Sequence, residues 1–172
     1  MEKRAVKGEP TVFSETFEYT SCGEWHNLRA EDVQPYDTAT ALYKEYTAER
    51  EKHIIFSPRL RELAAKLTAG ENNPYLKAKR IFRWVNDNFP WASAREYSTI
   101  ENIPEYVLDN RHGDCGQVSL LFITLCRISG IPVHFQSGFM MHPRAWNLHD
   151  WAEVYFEGVG WVPVDQSFGI PT

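Results

Sequence analysis

Hydrophobic residues recur every three to four positions through the middle of the chain and alternate with polar ones near its end, so helices are expected first and strands after them. Leu60, Leu63, Ala64 and Leu67 line one helical face, with Ser57 where an N-cap belongs, Pro58 at the first helical position and Gly70 at the exit. Asn73 and Pro74 repeat that opening device. Ala78, Ile81, Trp84, Val85 and Asn88 then share a face until Pro90 stops the run. A further stripe, Val118, Leu121, Phe122, Leu125 and Ile128, ends at Gly130 and Pro132. Leu42, Tyr43 and Tyr46 carry a fainter version of the same spacing and predict a helix between Asp37 and His53.

Phe13, Phe17 and Tyr19 share one parity, which predicts a strand over Thr11 to Tyr19 with one buried face. Between residues 90 and 112 Tyr, Ser, Asn and Pro interrupt any period, and a long functional loop is expected. Beyond Pro132 the alternation predicts antiparallel strands over Val133 to Met140, His149 to Phe156 and Gly160 to Asp165, the last two joined through Glu157-Gly158-Val159-Gly160. Met141 to Leu148, between the first two, is a candidate lid. Helices followed by strands indicate an α+β fold. No repeat or linker divides the 172 residues, which suit one domain with a sizeable core. Within it, residues 1–56 read as an N-terminal extension and 57–172 as the core.

Composition narrows the functional classes. No apolar run approaches the roughly 18 residues of a membrane span, and a formal charge of -5 argues against a nucleic-acid partner. Cys22, Cys115 and Cys126 form no CxxC pair and are too few for a disulfide framework. His112, His134 and His142 lack metal-ligand spacing, so neither a metal nor a cofactor is expected. The N-terminus lacks the succession of a signal peptide, which fits a cytosolic chain or one that begins after a removed leader. The chain stops seven residues after Asp165, which predicts a piece of a longer protein.

The chemistry concentrates in Arg111-His112-Gly113-Asp114-Cys115-Gly116-Gln117. Asp114 with Gln117 three positions on is the pattern of a capping box, which makes Cys115 the first helical residue. Its sulfur would face unpaired amides and the positive end of the helix dipole, an environment that favours the thiolate. His149 and Asp165 follow on strands. If odd positions pair with odd across the hairpin, the two share one face, and the cysteine helix is expected to pack over that face. A thiol, an imidazole and an orienting carboxylate suit acyl transfer through a thioester. The Cys115 amide is one candidate oxyanion donor, Trp91 and Gln117 are side-chain candidates, and Trp146 is a candidate for substrate binding.

From Ser57 onward these motifs resemble the transglutaminase-like superfamily: Gly113-Asp114-Cys115 at a helix start, His149-Asp150-Trp151-Ala152-Glu153-Val154-Tyr155 on a strand, and the closing Gly160-Trp161-Val162-Pro163-Val164-Asp165. Cys126-Arg127-Ile128-Ser129-Gly130-Ile131-Pro132, between helix and strand, fits the same pattern. The resemblance implies a papain-like α+β core with the cysteine helix against an antiparallel sheet. It also implies a Cys115, His149, Asp165 triad acting on peptide or isopeptide amides of a peptide or protein substrate, with hydrolysis favoured over cross-linking. The CxxC pairs of the glycanase branch are absent, and the calcium sites of animal cross-linking enzymes map onto no acidic cluster here. Export, to a periplasm or beyond, is the compartment the resemblance favours.

Plainer readings stand beside these. An isolated cysteine is more often a buried structural thiol than a nucleophile, and Cys126 on the helix and Cys22 in a loop read as bystanders. Trp91, Trp146 and Trp151 suit a groove wall or the core equally well. The alternative function is a non-catalytic module that keeps the fold and binds peptide or carbohydrate; a structural domain of a larger chain is a third.

Overall fold

A computed structural model of the chain describes residues 2–16, 18–20, 22, 26–142 and 145–167, with the backbone alone for 141, 142, 145 and 146. Five α-helices precede a three-stranded sheet among these residues: α1 (Ala41–Tyr46), α2 (Pro58–Leu67), α3 (Pro74–Asn88), α4 (Ile103–Asn110) and α5 (Cys115–Ile128), then β1 (Val133–His142), β2 (Ala145–Phe156) and β3 (Gly160–Val164). The sheet is antiparallel in the order β1-β2-β3. This is the expected α+β arrangement, with the cysteine helix against an antiparallel sheet.

The caps act where the sequence places them. Ser57 accepts from the Leu60 amide, and the Asn73 carboxamide oxygen accepts from the amides of Tyr75 and Leu76. Each thereby satisfies donors that the first turn leaves unpaired. The helix expected between Asp37 and His53 is confined to α1. Thr40 caps it, and at its far end the Thr47 hydroxyl donates to the Tyr43 carbonyl at 2.6 Å; a threonine competing for backbone groups in this way favours a helix end over its interior.

The stretch 90–112 is not one loop, because α4 forms inside it. Asn102 accepts from the Glu105 amide, Pro104 occupies the first turn, Ile103, Val107 and Leu108 are buried, and Arg111 ends the helix at φ 62°. At eight residues it is too short for its period to stand out between prolines and asparagines. The described part of Thr11 to Tyr19 forms no strand, and Phe13 and Tyr19 are exposed. A strand there would need a sheet edge to pair with. The described residues of Met141 to Leu148 belong to β1 and β2, which pair from Val133↔Val154 out to His142↔Ala145, while residues 143 and 144 of this candidate lid lie outside the described residues.

Helix α5 is buried all round, from Gly116 to Arg127, rather than along the expected stripe alone. Its polar side chains are matched: Thr124 donates to the Leu120 carbonyl, Ser119 to Gln166 Oε1, and Arg127 to the carbonyls of Val133 and Ala48. Ala152, Val154 and Phe156 of β2, with Val162 and Val164 of β3, complete the core against it. The opposite sheet face carries Trp151, Glu153, Tyr155 and Trp161, half-buried. Tyr36 donates to the Tyr155 carbonyl at 2.6 Å and Tyr46 packs edge-on against Trp161, so residues of the N-terminal stretch lie against that face.

Truncating Leu121, fully buried at the middle of α5, leaves a cavity that the surrounding helices and sheet cannot close. Leu121→Ala is expected to cost about 2–5 kcal/mol, read as a lower urea midpoint at unchanged m-value.

Candidate active site

The start of α5 is built as a capping box. Asp114 Oδ1 accepts from the Gln117 amide at 2.9 Å, and Gln117 Oε1 accepts from the Asp114 amide at 3.4 Å. Cys115 is therefore the first helical residue, as the spacing requires. The same bonds remove Gln117 from the oxyanion candidates: its side chain is fully buried, and its Nε2 donates to the Arg95 carbonyl at 3.1 Å.

The pairing of β2 with β3 runs Ala152↔Val164 and Glu153↔Pro163, so odd positions meet odd and His149 shares a face with Asp165. His149 Nε2 and Asp165 Oδ2 lie 2.6 Å apart with both side chains mostly buried. Asp165 Oδ1 accepts from the Ser167 amide at 2.8 Å, and the imidazole stacks on Trp151 two residues along the strand. Nε2 is thus the ring nitrogen turned to the carboxylate.

Helix α5 does not cover the face that carries His149. It packs on the opposite one, against Ala152, Val154 and Phe156, because those are the apolar positions of β2. Cys115 and His149 nevertheless line one cleft of about 590 Å³, together with Trp91, Tyr97, Asp114 and Asp150. They do so because the helix layer ends there: Ala152 is fully buried, Asp150 half-buried and Leu148 65% exposed along the same face of β2.

Trp91 stands on the rim, 61% exposed and held by a parallel bridge to Gly113 in which the Ala92 amide donates to the Gly113 carbonyl. The Trp146 side chain lies outside the described residues. A second tie joins the two halves of the site. Ser119, one turn after Cys115, donates to Gln166, the neighbour of Asp165, at 3.1 Å in a buried contact that links helix to strand end.

Electrostatically the cleft differs from the expectation of a depressed thiol. Burial, with the Asp150 and Asp114 carboxylates, pushes the Cys115 thiol above its ordinary value, and these outweigh the downward pull of the Asp150 and Gly116 backbone amides. Burial alone holds the Cys126 thiol well above its usual range, while Cys22 is exposed. Asp150 is the residue that sequence reasoning passed over. Strand parity assigns it to the face away from His149, and its nearness to the sulfur depends on where the helix layer stops. Among the described residues no group of three or more His, Cys, Asp or Glu is placed to hold a metal ion, and no helix is long and apolar enough to cross a membrane.

Comparison with known proteins agrees with this architecture. A protein from Cytophaga hutchinsonii described as a candidate cysteine protease superimposes with a TM-score of 0.67 at 23% identity, over 81% of this chain and 47% of that one. The periplasmic domain of TgpA from Pseudomonas aeruginosa does so with a TM-score of 0.59 at 20% identity, over 74% of this chain and 47% of that domain. YebA of Bacillus subtilis (strain 168), which has no assigned function, is 26% identical over 129 residues, covering 64% of this chain and 18% of YebA. The chain thus spans less than half the length of each of these relatives. The model of the transglutaminase-like superfamily matches residues 61–166, from α2 to just past Asp165, and this chain belongs to that superfamily.

Proposed function

We propose that the chain is a cysteine hydrolase or acyltransferase acting on peptide or isopeptide amides through a thioester on Cys115, with hydrolysis favoured over cross-linking. The observation that carries this reading is the 2.6 Å pair of His149 and Asp165 opening onto the same cleft as Cys115. In the proposed reaction Cys115 Sγ attacks the amide carbonyl as its proton passes to His149 Nδ1, and the imidazolium then protonates the leaving amine. Water, deprotonated by the same imidazole, cleaves the thioester and releases the acid. Asp165 keeps the proton on Nε2 and stabilises the charged ring between steps.

The Cys115 amide, at the start of α5, is one oxyanion donor, and the Trp91 indole on the rim is the candidate for the second. Trp91 and Leu148 leave the cleft open to solvent, so water can reach a bound acyl group, which supports hydrolysis. An extracytoplasmic setting belongs to the same reading, since the matched part of TgpA is a periplasmic domain.

A panel of peptide and isopeptide amides, with and without an added primary amine, tests this. Turnover is expected to disappear in Cys115→Ala and His149→Ala, with free acid released and little amine incorporated; retained turnover in Cys115→Ala overturns the assignment. Peptide bound equally by wild type and Cys115→Ala, with turnover in neither, indicates the binding-module alternative. Asp165→Asn, which allows the wrong tautomer, is expected to lower kcat by about 10²- to 10⁴-fold, measured by steady-state kinetics, with Cys115 still in place.

A further inference from the structure

One polar contact in the core does nothing for the core. Ser119 and Gln166 are 1% and 6% exposed, and the Ser119 hydroxyl donates to Gln166 Oε1 at 3.1 Å. Among the described residues the other end of that carboxamide, Nε2, is buried and meets no acceptor. Neighbours along both elements, Val118 and Leu120 on α5 and Val162 and Val164 on β3, are apolar and buried. A buried amide donor left unmatched costs more than one neutral hydrogen bond returns, so the pair weighs against the stability of the fold.

Its place in the fold sets the pair apart. Ser119 follows Cys115 by four residues, about one helical turn, and so shares its side of α5. Gln166 follows Asp165, which itself stands one residue past the end of β3, where the register with β2 ends at Ala152↔Val164. The bond therefore couples the helix turn that carries the sulfur to the segment that carries the carboxylate partner of His149. Apolar packing is non-directional and lets a helix slide or turn over a sheet, whereas a hydrogen bond is lost when it does.

We propose that Ser119 and Gln166 are positioning residues: they hold Cys115 in register with the His149 and Asp165 pair, and the fold is no more stable for having them. This deepens the proposed function, because it takes those three residues as the machinery. Neither member of the pair touches the reacting atoms, since both are buried behind the cleft that Cys115 and His149 line. They act through Asp165, whose Oδ2 meets the imidazole and whose Oδ1 accepts from the amide of Ser167, the residue after Gln166. A slip of about 1 Å between the helix and the strand end is enough to lower the rate about a hundredfold, while substrate still finds the same open cleft.

The test replaces both residues by apolar side chains of similar size. In the double variant Ser119→Ala with Gln166→Met the urea midpoint is expected to equal or exceed that of wild type, whereas kcat on the amide panel falls about tenfold or more at nearly unchanged KM. A second readout needs no substrate: the part of the Cys115 alkylation rate by iodoacetamide that His149→Ala removes reports how sulfur and imidazole are aligned, and it is expected to shrink in the double variant. Ser119→Ala with Gln166→Leu is the second form should methionine overpack the site. Unchanged kcat and alkylation in a stable apolar pair overturn the proposal, and so does a lower midpoint in both apolar pairs, which would make the bond a structural one. Absence of turnover in wild type, with alkylation indifferent to His149→Ala, overturns the hydrolase reading and this proposal with it; turnover kept in the apolar pair overturns this proposal alone.

Discussion

Burial of α5 on every side is the constraint from which the rest of the structure follows. A helix enclosed from Gly116 to Arg127 has its flanks committed to packing, so the place where its chemistry can reach solvent is its end. Asp114 and Gln117 close that end, leaving Cys115 as the first helical residue beside the cleft. The polar side chains enclosed with the helix survive there because each is bonded: Ser119 to Gln166, next to Asp165 just past β3, and Arg127 to carbonyls of β1 and the N-terminal stretch. These bonds fix the helix in depth and rotation, and so fix the height at which the sulfur emerges.

The sheet divides its labour by parity. One face is apolar and belongs to the core with α5, while the other holds the His149 and Asp165 pair, the cross-strand pair of His134 and Glu153, and an aromatic layer that Tyr36 and Tyr46 complete from the N-terminal side. The sulfur and the imidazole come from opposite sides of this layer and line one cleft at its end, where Leu148 is exposed. That end also brings in Asp150. In the cleft, electrostatics therefore oppose the effect of the helix dipole, because burial first, and with it the Asp150 and Asp114 carboxylates, raises the thiol against the backbone amides that lower it.

Much of this was legible in the sequence wherever a local rule acts alone. The caps at Ser57, Asn73 and Asp114, the stop at Gly130, the strand order and the shared parity of His149 and Asp165 are matters of backbone bonding and period, and each holds in the fold. The misreadings arise where a neighbour decides. Helix α4 is too short to declare itself before Ile103, Val107 and Leu108 find the core, and the segment around Phe13, exposed, joins neither edge of the sheet. Gln117 was a donor candidate by position alone, and only its bond to the Arg95 carbonyl shows it to be spent on structure.

The sequence by itself determined that a cysteine would open a capped helix and that a histidine and an aspartate would stand on one face of a hairpin, because hydrogen-bond geometry and strand alternation act over a few residues. Tertiary structure alone decided which sheet face the helix would cover, where that cover would end, and hence that Asp150 would reach the sulfur. Those outcomes depend on how apolar surfaces far apart in the chain close over one another, and no local period encodes the edge of a packed layer.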